Sequence, residues 1–329
     1  MPGKPQKIQG KDLISPPQTV TDGNKPRRVG VELEFGDISP GKTAEVVQQI
    51  FGGQLQKKDP YRLIVKDTEL GDFLVELDTT YAHPSEKIES KQGFLAEMGN
   101  KMAEAVGDIS KSFVPMEIAC PPVDIEEIAK LEKLVSALRD AKATGTNKEI
   151  YYAFGCQLNP ELASLEVDHV LKHFKAWLLL EDWLRDIAAN DLSRHLTVFA
   201  NPFSRRYAQK VLAKSYQPDW KTFIDDYLED NATRNRGLDM LPLLAHVDKN
   251  LKKRVGDDRI KPRPTFHYRI PDSRIDEKDW SLTLEWNRWV QVEKLAENPE
   301  KLEELRHKFT SKYWRRKVWA REVAKSIPF

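Results

Sequence analysis

Two glutamates, Glu32 and Glu34, stand two apart in the stretch VGVELEF, residues 29 to 35. In an extended strand that spacing puts both carboxylates on one face, the arrangement in which oxygen ligands can hold a hard divalent cation. Val29, Val31, Leu33 and Phe35 then face the other way. The same period of two sorts four more segments. In 72–78, Phe73, Val75 and Leu77 oppose Asp72, Glu76 and Asp78, and in 113–120 the line Val114, Met116, Ile118, Cys120 opposes Glu117. In 152–159, Tyr152, Phe154, Cys156 and Leu158 oppose Gly155, Gln157 and Asn159. In 265–270, Phe266, Tyr268 and Ile270 oppose Thr265, His267 and Arg269. A polar face simply turned to water is common in antiparallel sheets. Here carboxylates dominate three of the strands, and clustered like charges repel unless a cation neutralises them, so the pattern calls for Mg²⁺ or Mn²⁺.

A rival chemistry begins in the same place. Gly36, Gly41, Lys42 and Thr43 in GDISPGKT satisfy G-x-x-x-x-G-K-[ST], a loop that cradles nucleotide phosphates, between a strand and a helix as that motif requires. Three features count against it. The strand before such a loop is buried on both faces, yet this one carries two glutamates. Pro40 deletes a backbone N–H from a loop whose purpose is to offer them. No later apolar strand ending in aspartate completes such a domain.

The elements that must position these residues alternate in type. Candidate strands are 28–35, 61–66, 72–78, 112–119, 151–158 and 264–270, the second and third joined by DTELG as a hairpin. TAEVVQQIFGG reads as a helix closed by glycine, DIEEIAKLEKLVSALRD as one opened by an N-cap aspartate, and SLEVDHVLKHFKAWLLLEDWLRDIA as a long core helix. The expected fold is α+β: a largely antiparallel, curved sheet of about six strands with a polar metal-binding face, helices on the other face and a helical C-terminal extension. The expected divisions are a flexible tail over 1–25, a catalytic domain over 26–294 and a basic aromatic helix over 295–329 that packs on it.

The 329 residues are 40% hydrophobic and 31% charged, enough for a proper core, and the net charge of +1 gives no global field for nucleic acid. No stretch approaches the ~18 apolar residues of a membrane helix, and the opening residues carry no signal-peptide core, so a cytoplasmic protein with no membrane partner is expected. Cys120 and Cys156 fit a reducing compartment and fall on oily faces, where a thiol is inert. His169 and His173, four apart, could clamp a metal from a helix, although no third ligand lies nearby in the sequence. Tyr313, Trp314 and Trp319 among C-terminal arginines could stack nucleotides, but such a segment more often docks its aromatics on its own domain, and nucleic acid is not the expected partner.

VGVELEF followed by a helix and GG, then MEIACPP, GCQLNPE and TFHYRIPD, in that order, resemble the amidoligase family, the carboxylate–amine ligases of the glutamine synthetase and glutamate–cysteine ligase fold. The resemblance runs from about Arg27 to Trp289, and NPFSRRYA and RNRGLDMLPLL resemble intervening segments. It implies an ATP-dependent ligase working through an acyl phosphate, with ATP and Mg²⁺ (or Mn²⁺), small-molecule or peptide carboxylate and amine substrates, and room for an amidotransferase partner or a homo-oligomer. Glu32 and Glu34 match the family's first-strand metal pair and Glu117 a glutamate on the same side, with a catalytic role. Glu76, Gln157 and His267 complete the expected metal shell, Arg269 is the expected phosphate clamp, and Asn159, Arg205, Arg206, Arg234 and Arg236 the expected nucleotide or substrate contacts. Gln157 stands where the family often has His and His267 where it often has Glu. Those two exchanges keep open a non-catalytic relative that only binds nucleotide or amino acid, beside the phosphate-loop reading of Gly36–Thr43.

Overall fold

The computed structural model describes residues 12–59, 61–77, 115–146, 154–189 and 200–327. The first eleven residues of the expected tail, the strand residues 112–114 and 151–153, and with them Asp78, Val114 and Tyr152, lie outside the described residues.

The fold is α+β, an open antiparallel sheet of seven strands with ten helices among the described residues. Strand β1 (Arg28–Phe35) is its axis. Val29, Val31, Leu33 and Phe35 are fully buried, and removing each from water contributes about 1.5–3 kcal/mol. The alternate residues stay partly exposed, as the two-residue period requires. On one edge β1 pairs β5 (Met116–Ala119) and then β6 (Val123–Asp124), one line broken where Pro121 and Pro122 offer no backbone N–H. On the other edge it pairs β7 (Cys156–Pro160). Beyond β5 the order continues through β4 (Gly71–Leu77), β3 (Arg62–Thr68) and β2 (Gln54–Asp59). The β3–β4 hairpin turns at the Gly-containing link. β2 was not expected: QLQKKD has no apolar alternation, because it is an exposed edge strand whose lysines discourage further pairing.

The expected strand over 264–270 is an irregular ribbon instead. Tyr268 exchanges both backbone hydrogen bonds with Leu158 of β7 (2.8 and 3.1 Å), and Thr265 and Asp272 make single bridges to Glu161 and Gly155. Pro264 and Pro271 withhold the amides that a continuous ladder needs. A second ribbon lies against it, with Arg269 N–H to Gly237 O at 2.8 Å and Asp239 N–H to His267 O at 3.0 Å.

Helix α1 (Pro40–Phe51) covers the oily side of β3 and β4, with Phe51 stacked on Phe73 at 5.2 Å, and ends at Gly52, whose φ of 70° suits glycine. Helix α2 (Ile128–Asp140) is entered through a 3₁₀ turn at Ile125–Glu127, so Asp124 does not cap it: its side chain makes no capping bond. The long α3 (Val167–Ala189) and α8 (Leu282–Ala296) lie under the final ribbon, where Trp177 and Trp289 pack on Tyr268 at 5.6 and 5.7 Å. Between them run α4 (Arg205–Val211), α5 (Trp220–Asn231), α6 (Leu241–Val247) and α7 (Leu251–Val255). The C-terminal segment is two helices, α9 (Pro299–Thr310) and α10 (Arg316–Ser326); Trp319 is fully buried and donates to Leu179 O at 2.8 Å, while Tyr313 is exposed.

Arg27 anchors the start of β1. Its guanidinium forks onto Glu293 of α8 with two 2.8 Å bonds and reaches Glu161 O, while Trp289 Nε1 donates to the same carboxylate at 2.7 Å. Burial would raise the Glu293 carboxyl, but the Arg27 charge and hydrogen bonds outweigh it and hold the pKa below the ordinary value. Within the described part of the N-terminal segment, Ile14 and Asp12 bond Asn287 and Trp286 of α8.

Candidate active site

Strand register brings the expected carboxylates into one row. Glu34 of β1 stands opposite Glu117 of β5, and Glu117 opposite Glu76 of β4. Three acids directly across neighbouring strands repel one another, a cost the register maintains. Arg62 of β3 continues the row and holds Glu76 at 2.7 Å. Glu34 Oε2 accepts the Gly155 N–H at 2.7 Å, which fixes its carboxylate against β7.

Glu32, one pleat along, starts a hydrogen-bond chain whose direction can be deduced. Its Oε1 accepts from Asn159 Nδ2 at 2.9 Å; a carboxylate only accepts, so Asn159 turns its oxygen the other way. That Oδ1 accepts from Gln157 Nε2 at 2.7 Å, and the same amide nitrogen lies 3.0 Å from His267 Nδ1. Nδ1 is therefore an acceptor, and the His267 proton resides on Nε2, which is buried without a hydrogen-bond partner. Burial, then the charges of Arg263, Arg269 and Arg234, keep the imidazole pKa well below its usual value, so the ring is neutral. His267 is thus brought to the site as expected, but in this arrangement it presents an N–H donor. The metal-ligand role expected for it would require the chain of amides to reverse, whereas Gln157 keeps its Oε1 outside that chain.

Arginines gather at this end. Arg263 Nη1 lies 3.5 Å from Glu32 Oε1, while Arg269 and Arg234 flank Asp239 Oδ2 at 3.6 and 3.8 Å. Asp239 is wholly buried, and desolvation pushes its pKa up to about 6 against the pull of the two arginines. Neither Asp239 nor Arg263 stood out in the sequence. Both lie in proline-flanked ribbons with no periodic pattern, and the only signal was an acid inside the oily run GLDMLPLL.

Of the other expected nucleotide contacts, Arg205 pairs with buried Asp182 and lies over Phe309, while Arg206 is exposed and pairs with Asp230. Arg236 binds the carbonyls of Pro202 and Asp230 and covers Phe203. Arg205 and Arg236 are occupied within the helical layer, whereas Arg206 stays in solvent. The phosphate-loop pattern fares similarly. Helix α1 already begins at Pro40, Ser39 Oγ accepts the Lys42 amide, Ser39 O accepts the Thr43 amide, and the exposed Lys42 pairs with Glu45. The amides that would cradle phosphate are spent on the cap. Both cysteines are buried, and desolvation raises their thiol pKa values, which removes them as nucleophiles. Among the described residues no helix is long and apolar enough to cross a membrane.

Against known families, residues 25–291 match the family model described as "putative amidoligase enzyme". No curated protein and no solved structure matches the chain significantly.

Proposed function

The chain belongs to the amidoligase family, and from that premise we propose that it is an ATP-dependent carboxylate–amine ligase acting through an acyl phosphate. The observation that carries the reading is the row Glu34–Glu117–Glu76 set beside an arginine cluster on one sheet face. Opposed carboxylates are a poor choice for a merely solvated face and a good one for oxygen-ligated cations, so the donor set fits Mg²⁺ or Mn²⁺. Glu34 and Glu117, with Glu32 beside them, would hold the metal, which supplies neutralisation of phosphate charge. Glu76 is already engaged by Arg62 and serves the row from its edge.

In this reading a carboxylate oxygen of the acid substrate attacks the γ-phosphorus of ATP. The new O–P bond forms as the bond to the β-phosphate oxygen breaks, and ADP leaves. An amine then attacks the acyl carbon, phosphate departs, and the nitrogen gives up a proton, leaving an amide. Arg269 and Arg234 offer guanidinium charge to the transferring phosphoryl group, and Asp239 between them fixes their orientation. His267 offers its Nε2–H to an oxygen of phosphate or substrate, which would satisfy a donor otherwise orphaned.

The test is a screen for ADP release from ATP and Mg²⁺ across glutamate-like carboxylates combined with ammonia, amino acids, peptides and polyamines, with mass spectrometry of the products. Release that requires both an acid and an amine supports the ligase. ATP turnover indifferent to both, lost in Lys42→Ala and kept in Glu34→Gln, would overturn it in favour of the phosphate loop.

A further inference from the structure

Beneath the final ribbon, on the helix side, lies a group of ligand-bearing residues with no part in the chemistry above. Phe266, next to His267, stacks on His173 of α3 at 5.7 Å. His173 and His169 are one helical turn apart, their rings 4.4 Å centre to centre, and both are buried. From the far end of the chain Glu297, the residue that closes α8, reaches the same spot, and one ligand atom from each of the three lies within 4.8 Å of the others. The sequence offered the histidine pair without a third ligand; the fold supplies it.

We propose that His169, His173 and Glu297 form a second metal site, of the Zn²⁺ class, that clamps α3 to the end of α8. Two observations support it beyond proximity. His173 Nδ1 lies 2.8 Å from His169 O, and since a carbonyl only accepts, the proton is on Nδ1 and the Nε2 lone pair is left for a ligand bond. A backbone carbonyl holding the remote nitrogen is the usual support of a metal-bound imidazole. Glu297 Oε1 is buried and makes no hydrogen bond, although the Lys172 ammonium lies 2.8 Å from both carboxylate oxygens with hydrogen-bond geometry to Oε2 alone. Lys172 is the counterion in the metal-free chain, and a carboxylate has acceptor sites for both cations.

Two imidazoles and one carboxylate select Zn²⁺ and its borderline neighbours over Mg²⁺ or Ca²⁺, with a fourth position for water. Glu297 remains 24% exposed, which gives solvent and the ion a way in. The site ties together α3, α8 and, through Phe266, the ribbon carrying His267, and it does not depend on the ligase reading.

The chelator-stripped full chain should be titrated with Zn²⁺ alone against a chromophoric chelator, with Co²⁺ and its visible spectrum as the geometric readout. The wild type should take up one equivalent with a tetrahedral Co²⁺ spectrum, and the double variant Glu34→Gln, Glu117→Gln should keep it. Glu297→Gln and His169→Gln should each weaken it by at least about 10²-fold, the upper end of what changes to indirect ligand supports cost. Zn²⁺ should raise the Tm of the wild type and not of Glu297→Gln. A buried histidine change could disturb the fold, so Glu297→Gln, part-exposed and isosteric, carries the decision once its circular dichroism matches wild type. No bound equivalent in the wild type, equal affinity in Glu297→Gln, or loss in the sheet double variant would overturn the site.

Discussion

The two ends of the polar sheet face are built on different principles. At the acidic end, Glu34, Glu117 and Glu76 occupy regular strand positions, and the hydrogen-bond ladder sets them opposite one another. At the basic end, Arg234, Asp239, His267 and Arg269 come from irregular ribbons, held by ion pairs and by single bridges to β7. The ladder makes the first end rigid and sets like charges side by side, a repulsion that the metal of the ligase proposal would relieve. The second is charge-paired around a buried aspartate but leaves His267 Nε2 and Asp239 Oδ2 without hydrogen-bond partners, so under the ligase proposal it would adjust to an incoming phosphate. If the ligase proposal holds, phosphoryl transfer would benefit from that division, with fixed metal ligands and adaptable anion contacts.

The comparison breaks most sharply at the acidic end. Glu34→Gln and Glu117→Gln keep shape and remove charge, so each should cut turnover by about 10³-fold or more while the fold persists. Because like-charge repulsion falls, their Tm without metal should hold or rise. Steady-state ADP release beside thermal unfolding checks both; unchanged turnover would take the row out of the site.

Next in size is the anchor that holds β1 in register. Glu293→Gln leaves the Arg27 guanidinium buried without its carboxylate and should cost about 3–5 kcal/mol in chemical denaturation. The sign of the pH dependence follows from a folded-state pKa held below the ordinary 4.5. The pair's contribution is fully present above the ordinary value and is lost as pH falls from there through the lower folded-state pKa, so the wild-type advantage over Glu293→Gln should shrink on acidification. An advantage that grew in acid would contradict this account of the pair.

At the basic end, Arg269→Lys keeps charge and loses the fork. It should lower kcat by about 10²-fold with little change in the apparent affinity for ATP, which separates transition-state contact from binding. A rise in KM with kcat intact would make Arg269 a ground-state contact. His267 should show the smallest effect: His267→Gln, which can still donate, should stay within about tenfold of wild type, whereas His267→Glu, which cannot, should fall about 10–100-fold, the range of a hydrogen bond to a charged group. If His267→Glu instead tightens Mg²⁺ and keeps its rate, His267 stands at a ligand position and the amide chain runs the other way.

How much of this was legible follows the same division. Glu32, Glu34, Glu76 and Glu117 were readable because a regular strand sorts residues with period two and the buried partners, Val31, Leu33, Val75 and Ile118, mark the phase. The ribbons have no period to read, so Asp239 and Arg263 went unseen, and the donor character of His267 depends on a chain of side-chain contacts that no single strand encodes. The edge strand β2 was missed because a strand that buries nothing leaves no apolar pattern. Arg205 and Arg236 looked like anion contacts by density alone, whereas their carboxylate, carbonyl and aromatic partners became evident only once α4 was packed on its neighbours.

The central claim is that a carboxylate is activated by phosphoryl transfer, and isotope transfer tests it most directly. With the acid and amine pair found by the ADP-release screen, the acid should be labelled with ¹⁸O in its carboxylate and the released phosphate analysed by mass spectrometry. An acyl phosphate requires one labelled oxygen to leave with each phosphate as the amide forms. Amide formed with wholly unlabelled phosphate would contradict the account.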